Sequence, residues 1–355
     1  MKCCTPLKAY ILDKQVIYEK IFTEEFKRHP WFSEWAEDKA LEIYNRKDQD
    51  GKNAIKRIYF KPPKKYREYY SLIDIPCGKC EACKCNHAKE WALRCHLESL
   101  YHDQNCFITL SYNNENLPKN RSLELSDLQK FWKRLRKSLP KETKIKYFAC
   151  GEYGPKTLRP HYHAIIFGYM PDDIKPWKKN HQRDQLYISE KIEKIWGKGY
   201  CIIGECNYNT AGYVARYCTK KLKNELKIKH NKAEEFIVMS RNGGIGISYY
   251  KEKKEEIWED QGIYIKKPNK NASLESIPKF FMKKFKEEKD QRILTEYRDQ
   301  MQIKKVRMKE NWEEILSRTD LNEEQYLKNL WEKNKETLKK LPRSNLDLGT
   351  VKILS

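Results

Sequence analysis

One short segment, residues 160–167, constrains the fold of this chain more than any other. It reads Pro-His-Tyr-His-Ala-Ile-Ile-Phe, a β-branched and aromatic run that is typical of a strand. Side chains alternate across a strand, so His161 and His163 lie on one face, while Tyr162 and Ile166 belong to an apolar face that can pack on a core. We expect the histidine face to stay open and to present two imidazoles side by side, which is half of a metal site.

A third metal ligand is predicted from the segment just upstream. Residues 145–150 are strand-like and run into the sequence Gly-Glu-Tyr-Gly-Pro. A tight hairpin through Gly154 and Pro155 would bring Glu152 beside the two histidines. Two imidazoles and one carboxylate leave coordination positions open, which suits a catalytic divalent ion better than a structural one. The alternative is a pair of ordinary surface or core histidines.

Downstream, residues 211 to about 226 are predicted to form a helix that the preceding Asn-Thr pair caps. At about 100° per residue, Tyr213, Tyr217 and Lys220 fall on one face of this helix. One interpretation is a packing stripe, in which the phenol rings are buried and Lys220 extends its amine to solvent. The other is a reactive face that carries two phenols and an ammonium group.

Together these motifs resemble the HUH endonuclease superfamily. A strand with His-hydrophobic-His, followed by a helix with Tyr-x-x-x-Tyr-x-x-Lys, is similar to the pattern of rolling-circle replication initiators. The closer similarity is to the initiators of small single-stranded DNA phages, the gokushovirus branch of the microviruses. The resemblance covers most of the chain, and its segments are residues 6–9, 76–83, 107–112, 150–154, 159–167 and 213–220.

The resemblance implies a metal-dependent nickase that acts at a single-stranded origin. His161, His163 and Glu152 would hold Mg²⁺ or Mn²⁺, which polarises the scissile phosphate. Imidazole is an unusual partner for Mg²⁺, so Mn²⁺ is expected to work at least as well.

The implied nucleophile is the hydroxyl of Tyr213 or Tyr217, which would leave a 5′-phosphotyrosyl link and a free 3′-OH primer, and reversal would ligate. Lys220 would stabilise phenolate or transition-state charge. Two tyrosines suit a rolling circle, because one can hold the parental 5′ end while the other cuts the regenerated origin.

The order of elements predicts an α+β fold from residue 105 onward. Strands are expected at 106–112, 145–150, 161–167 and 200–206, and helices at 127–139, capped by Ser126, and at 188–196. This order matches a split βαβ, ferredoxin-like (RRM-like) HUH core with an antiparallel sheet, in which the first and third strands are central. The tyrosine helix can then lie across the exposed face of the sheet.

Three domains are predicted around this core. They are an N-terminal Cys-rich region at 1–104, the HUH endonuclease domain at 105–226 and a basic, largely helical C-terminal accessory region at 227–355.

The N-terminal region contains a candidate zinc site. Cys77, Cys80 and Cys83 form two overlapping Cys-x-x-Cys pairs at zinc-like spacing. Three thiolates need a fourth ligand, and Cys3 is preferred because it would tie the N-terminus to this knuckle. The rival ligands are Cys4, Cys85, His87, Cys95 and His96. A buried cluster of reduced cysteines is the alternative to a zinc site.

Charge and composition point to a polyanionic partner. The chain has 72 Lys and Arg against 50 Asp and Glu, a net charge of +22, and 12% aromatic residues on which unpaired bases could stack. No stretch approaches the roughly 20 apolar residues of a transmembrane helix. We therefore expect no membrane partner, and a protein in the cytoplasm of a bacterial host that acts on a single-stranded DNA origin with host helicase and replication proteins.

Two other classes stay open on the sequence. One is a zinc-stabilised single-strand binding protein without catalytic activity. The other is an HUH transposase or plasmid relaxase.

Overall fold

The computed structural model describes residues 7–12, 42, 58–59, 67, 70–78, 80–154, 157–180, 183–206, 208–217, 232–265, 272–288 and parts of 313–333. The chain divides into two compact units, residues 1–83 with 327–331 and residues 84–326 with 332–355. The predicted division into domains at 1–104, 105–226 and 227–355 stays a prediction. None of the described helices is long and apolar enough to cross a bilayer.

The first unit contains a small antiparallel sheet. Its strands, in the order β2-β1-β3, are β1 (Leu7–Leu12), β2 (Ile58–Tyr59) and β3 (Tyr70–Ile75). Ala9 and Leu12 are buried, and the rings of Tyr59 and Tyr70 meet edge to face at 5.5 Å.

The second unit is built on a seven-stranded sheet with the order β10-β5-β6-β4-β9-β8-β7, in which every neighbouring pair is antiparallel. The strands are β4 (Asn105–Tyr112), β5 (Lys146–Tyr153), β6 (Pro160–Phe167), β7 (Lys175–Lys179), β8 (Gln185–Ile188), β9 (Gly199–Glu205) and β10 (Phe236–Met239). An α+β protein with a large antiparallel sheet is thereby confirmed. The sequence does not predict β7, β8 or β10; β7, for example, reads Lys-Pro-Trp-Lys-Lys and has no apolar alternation.

Helices and a hairpin complete the described part of the second unit. They are α1 (Glu81–Ser99), α2 (Leu125–Ser138), α3 (Glu190–Trp196), α4 (Tyr208–Tyr217), α5 (Ile247–Glu259) and α6 (Lys279–Glu287), with β11 (Ile263–Ile265) pairing β12 (Ser273–Glu275). Helix α1 begins at Glu81, so its first residues belong to the first unit.

The start of α2 differs from the prediction. The helix begins one residue before Ser126, and the residue at its N-cap is Glu124, whose side chain makes no capping bond. Instead, the hydroxyl of Tyr162 bonds both the backbone N–H and the carbonyl of Glu124, at 2.9 Å each. A tyrosine from the sheet therefore supplies the cap. At α3 the cap is Ser189, which accepts a hydrogen bond from the N–H of Ile192.

Both faces of the large sheet are covered by helices. On one face, α2 and α3 pack Phe131, Leu135 and Trp196 against Tyr162 and its neighbours. The expectation that the histidine face stays open is therefore wrong along most of its length, because β6 continues after the histidines with Ile165 and Phe167. Those apolar side chains take the helices α1 and α4 as a cover, and the histidines lie at the remaining end of the strand.

Candidate active site

Strand register brings the predicted metal ligands together. In the β5–β6 pair Glu152 lies opposite His161, and in the β4–β6 pair Thr109 lies opposite His163. Directly opposed residues of antiparallel strands point to the same face. Three neighbouring strands therefore contribute side chains to one place on the sheet.

The donor atoms of this group are within reach of one ion. Oε1 of Glu152 is 2.9 Å from Nε2 of His161 and 2.9 Å from Nε2 of His163. The two imidazole rings stand edge to face with centroids 4.9 Å apart. One ligand atom from each of the three residues lies within 4.8 Å of the others.

Burial differs across the site. His163 has only 2% of its side chain exposed and stacks on Phe107 at 5.6 Å. Glu152 is also buried, whereas 19% of the His161 side chain reaches solvent. The site is therefore a pocket with a dry floor, and its accessible side is the one at His161.

Hydrogen bonds to the outer ring nitrogens orient both imidazoles. Nδ1 of His161 lies 3.1 Å from the carbonyl oxygen of Arg159, which can only accept, so Nδ1–H donates. Nδ1 of His163 lies 2.9 Å from Oγ1 of Thr109. The Nε2 lone pair of His161 then faces a carboxylate oxygen. Two electron-rich atoms at that distance repel unless a cation, either a proton or a metal ion, lies between them.

The pKa values reflect the same arrangement. Burial by itself raises the pKa of Glu152, but hydrogen bonds from His161 and His163 outweigh burial and lower it to about 2. Burial lowers the pKa of His161, but the hydrogen bond to Glu152 outweighs burial and raises it. Glu152 is thus an anion at neutral pH, and the pocket selects for positive charge. A carboxylate with two neutral imidazoles fits a divalent ion such as Mn²⁺ or Mg²⁺.

Helix α4 runs over the strands that carry this pocket. Its Ala211, Val214 and Ala215 are buried in one cluster with Phe107 and Ile165. The backbones of Tyr213 and Tyr217 belong to this helix, whereas their side chains and the whole of Lys220 lie outside the described residues.

Comparison with known proteins identifies the family. The family model for replication-associated protein ORF2 matches residues 105–222. The replication-associated protein ORF2 of Spiroplasma virus 4 is 32% identical over 262 residues, which is 71% of this chain and 77% of that protein. This chain belongs to the family of phage replication-associated proteins. The prediction of a small-phage replication protein, made from the motifs, is confirmed.

Two further members of the replication-associated family are similar over shorter lengths. VP4 of Bdellovibrio phage phiMH2K is 40% identical over 178 residues, 48% of this chain and 56% of that protein. ORF4 of Chlamydia phage 1 is 31% identical over 206 residues, 56% of this chain and 45% of that protein. No solved structure matches this chain.

The cysteine cluster lies outside the segment that the replication-associated family model matches. Ligand atoms of Cys77, Cys80 and Cys83 lie within 4.8 Å of one another, and the N–H of Cys80 donates to Sγ of Cys77 at 3.2 Å. The predicted fourth ligand, Cys3, and its rival Cys4 lie outside the described residues.

Two of the other rival ligands have roles of their own in the structure. Cys95 is buried in the core beneath the large sheet, and His87 accepts a hydrogen bond from Nε1 of Trp91 at 3.3 Å.

Sequence reasoning misses one residue of the site in this replication-associated protein. Thr109 is predicted only as part of a supporting strand at 107–112, yet its hydroxyl contacts His163. The signal is the β4–β6 register, which pairs positions 109 and 163 across an intervening helix and strand. No local pattern encodes that pairing.

Proposed function

We propose that this protein initiates rolling-circle replication of a small single-stranded DNA phage by nicking the origin strand through a tyrosine. The observation that carries the proposal is the convergence of Glu152, His161 and His163 beneath the helix that contains Tyr213 and Tyr217. Membership of the replication-associated family supports the biological setting.

The fold agrees with this function. Strands β5, β6, β4 and β9 are consecutive in the sheet, with β4 and β6 central. In chain order these are strands 2, 3, 1 and 4, the order of a split βαβ, ferredoxin-like domain. We therefore propose an HUH endonuclease domain at about 105–226, with the Cys-rich region before it and the accessory region after it.

The proposed chemistry is a transesterification. When bound by Glu152, His161 and His163, Mn²⁺ or Mg²⁺ would act as a Lewis acid on the scissile phosphate. The hydroxyl of Tyr213 or Tyr217 loses its proton and forms the new O–P bond, and the O3′–P bond breaks. The leaving 3′ oxygen takes a proton and becomes the primer end.

Two further groups assist this exchange. A phenol with a pKa of about 10 is a weak nucleophile at pH 7, so Lys220 is proposed to stabilise the phenolate. The phosphotyrosyl ester keeps the energy of the phosphodiester, so ligation is the reversal and needs no ATP. Host helicase and replication proteins in the bacterial cytoplasm would extend and unwind the strand.

The test is a covalent adduct assay on the full chain. The protein is incubated with Mn²⁺ and phage single-stranded DNA and then run on a denaturing gel. We expect an adduct that persists in Tyr264→Phe, an exposed tyrosine of the β11–β12 hairpin. It should be lost in His161→Ala and in the double variant Tyr213→Phe/Tyr217→Phe.

The other outcomes assign the alternatives. If the protein shifts DNA but forms no adduct on any origin-bearing strand, it is a single-strand binding protein. If an adduct forms but its products are only linear transfer products, a transposase or relaxase replaces the initiator.

A second metal role is proposed for Zn²⁺ at Cys77, Cys80 and Cys83. The N–H of Cys80 that donates to Sγ of Cys77 favours the thiolate form that zinc binds. Purified protein should contain about one zinc per chain by mass spectrometry, and Cys80→Ser should lose it, whereas Cys206→Ser should retain it. Cys3→Ser and Cys85→Ser identify the fourth ligand, and absence of zinc from the unmodified protein would leave a plain thiol cluster.

A further inference from the structure

Three basic residues gather in the loops at the end of the sheet where the metal pocket lies. Arg159 stands directly before β6, and its Nη2 donates to the carbonyl of Tyr112, the last residue of β4, at 2.9 Å. Nζ of Lys232 donates to the carbonyl of Leu158 at 2.9 Å. Arg121 is exposed in the loop before α2.

Hydrogen bonds tie the loop of Arg121 to the loop of Lys232. The N–H of Ala233 donates to Oγ of Ser122 at 2.8 Å, and the hydroxyl of Tyr153 donates to the carbonyl of Ala233 at 2.9 Å. The residues next to Arg121 and Lys232 are thus in direct contact. The three cations form one cluster that is built by the fold, and we call Arg121, Arg159 and Lys232 the cation cluster.

The cation cluster lacks the counter-charge that a structural role would require. Within the described residues, none of its three side chains forms an ion pair. The pKa of Arg159 is lowered by burial and then by the charge of Arg121, and burial and Arg121 lower the pKa of Lys232 in the same order. The nearby acid Glu235 accepts a hydrogen bond from the N–H of Tyr153 at 3.2 Å. The cluster therefore destabilises itself, and an anion would relieve the repulsion.

Backbone strain accompanies the cluster. Arg121 itself and Leu158, the residue before Arg159, have φ of 50° and 49°. Side chains other than glycine rarely adopt this region, and such residues concentrate at binding sites.

The cluster is adjacent to the metal pocket. The carbonyl of Arg159 holds Nδ1 of His161, and Ser111 of β4 is paired with His161 on one side and with Tyr200 of β9 on the other. Tyr200 is 41% exposed and lies in the same row across the sheet as His161. An exposed ring of this kind can stack an unpaired base.

We propose that the cation cluster of Arg121, Arg159 and Lys232 binds phosphate groups of the single-stranded DNA that flanks the scissile position. The proposal rests on the proposed function for its ligand. Phosphate contacts position a strand without reading its sequence. The cluster would therefore set affinity and register, while the pocket at Glu152 performs the chemistry.

The test measures DNA binding without chemistry. Fluorescence anisotropy with single-stranded DNA is recorded over a range of salt concentrations, without divalent metal, for the full chain and for Arg121→Gln/Arg159→Gln/Lys232→Gln. Each phosphate contact to a single strand contributes about 0.7 to the slope of log affinity against log salt, so the slope should fall by about 2. The affinity should fall on the order of tenfold or more, equally for origin and unrelated sequences.

Two control variants separate this site from net charge and from folding. Lys251→Gln/Lys279→Gln/Lys283→Gln removes three exposed charges on α5 and α6 and should leave the slope within about 0.7 of the unmodified value. Arg121→Lys/Arg159→Lys keeps the charge and should retain most of the affinity. Thermal unfolding by circular dichroism checks that each variant is folded.

The outcomes distinguish this proposal from the proposed function. If the cluster variant and the α5–α6 control lose the same affinity and slope, the phosphate site is overturned even when the unmodified protein nicks DNA. If the cluster variant alone loses affinity while the unmodified protein forms no covalent adduct, the phosphate site stands and the nickase proposal falls.

Discussion

Thr109 shows how one hydroxyl can decide the chemistry of a neighbouring ring. Its Oγ1 lies 2.9 Å from Nδ1 of His163 and so favours the tautomer that leaves Nε2 directed at Glu152. We predict that Thr109→Val, which keeps the shape, lowers Mn²⁺ affinity about tenfold or more, whereas Thr109→Ser keeps it. Calorimetric titration of the full chain checks this. Equal affinities for the Val and Ser variants would show that the hydroxyl has no such role.

Protonation of His161 gives a second prediction at this scale. Its pKa is raised above 6.5 by Glu152, and metal binding needs the neutral ring, so Mn²⁺ affinity should fall as the pH drops through this raised pKa. Without metal the sign is opposite: the stability from the charged pair is complete below pH 6.5 and is lost as the pH rises through the raised pKa. Calorimetry in buffers of different ionisation enthalpy measures the released proton. A proton release that is the same in His161→Gln would exclude His161 as its source.

At the scale of single elements, two glycines should respond in opposite directions to the same substitution. Gly199 begins β9 with φ of 143°, and a Cβ there would overlap backbone atoms of Ser111 and Asn113. Gly199→Ala should therefore cost about 2 kcal/mol or more of unfolding free energy. Gly212 lies inside α4 with only Cβ of Ala92 nearby, at 3.9 Å, and Gly212→Ala should stabilise by about 0.5–1 kcal/mol. Denaturant unfolding of both variants tests the pair, and a neutral Gly199→Ala would contradict the close approach of β9 to the end of β4.

The elements also show how far sequence reasoning extends. Glu152 is placed correctly beside the histidines because a tight hairpin is a local feature. Strand β10 is not predicted, since Phe236–Met239 is a short run whose partner β5 lies far upstream. Thr109 is missed for the same physical reason, because cross-strand register depends on the whole sheet. The cover on the histidine face depends on α1 packing beneath β4 and β5, which no local pattern encodes.

At the scale of the whole molecule, the buried carboxylate of Glu98 joins distant parts of the second unit. It is 1% exposed on α1 and accepts hydrogen bonds from His102 at 2.8 Å and from the N–H of Gly246 at 2.6 Å, and it pairs with Lys146 of β5 at 2.8 Å. Burial raises the pKa of Glu98, but these partners outweigh it and lower the pKa below its ordinary value of 4.5. The carboxylate therefore contributes stability above pH 4.5 that is lost as the pH falls through the lowered pKa.

Glu98→Gln tests this junction. We predict a loss of about 2 kcal/mol or more in unfolding free energy at pH 7, because Lys146 and His102 lose their acceptor charge. The difference between the variant and the unmodified protein should shrink as the pH is lowered below 4.5. Denaturant unfolding at pH 7 and pH 4 measures both, and Glu287→Gln, an exposed surface pair, is the control. A difference that does not change with pH would assign the loss to packing.

Helix α1 has two apolar sides, and this has a consequence for how the protein can change over time. Ala88, Ala92 and Cys95 pack beneath the large sheet, while Leu93 and Leu97, on another side of the helix, pack in the cluster with α5 and α6. A larger or smaller side chain on either side moves the same rod. Mutations in the region after the tyrosine helix and mutations beneath the metal pocket are therefore expected to compensate one another, and the two halves should be inherited together rather than exchanged separately between related phages.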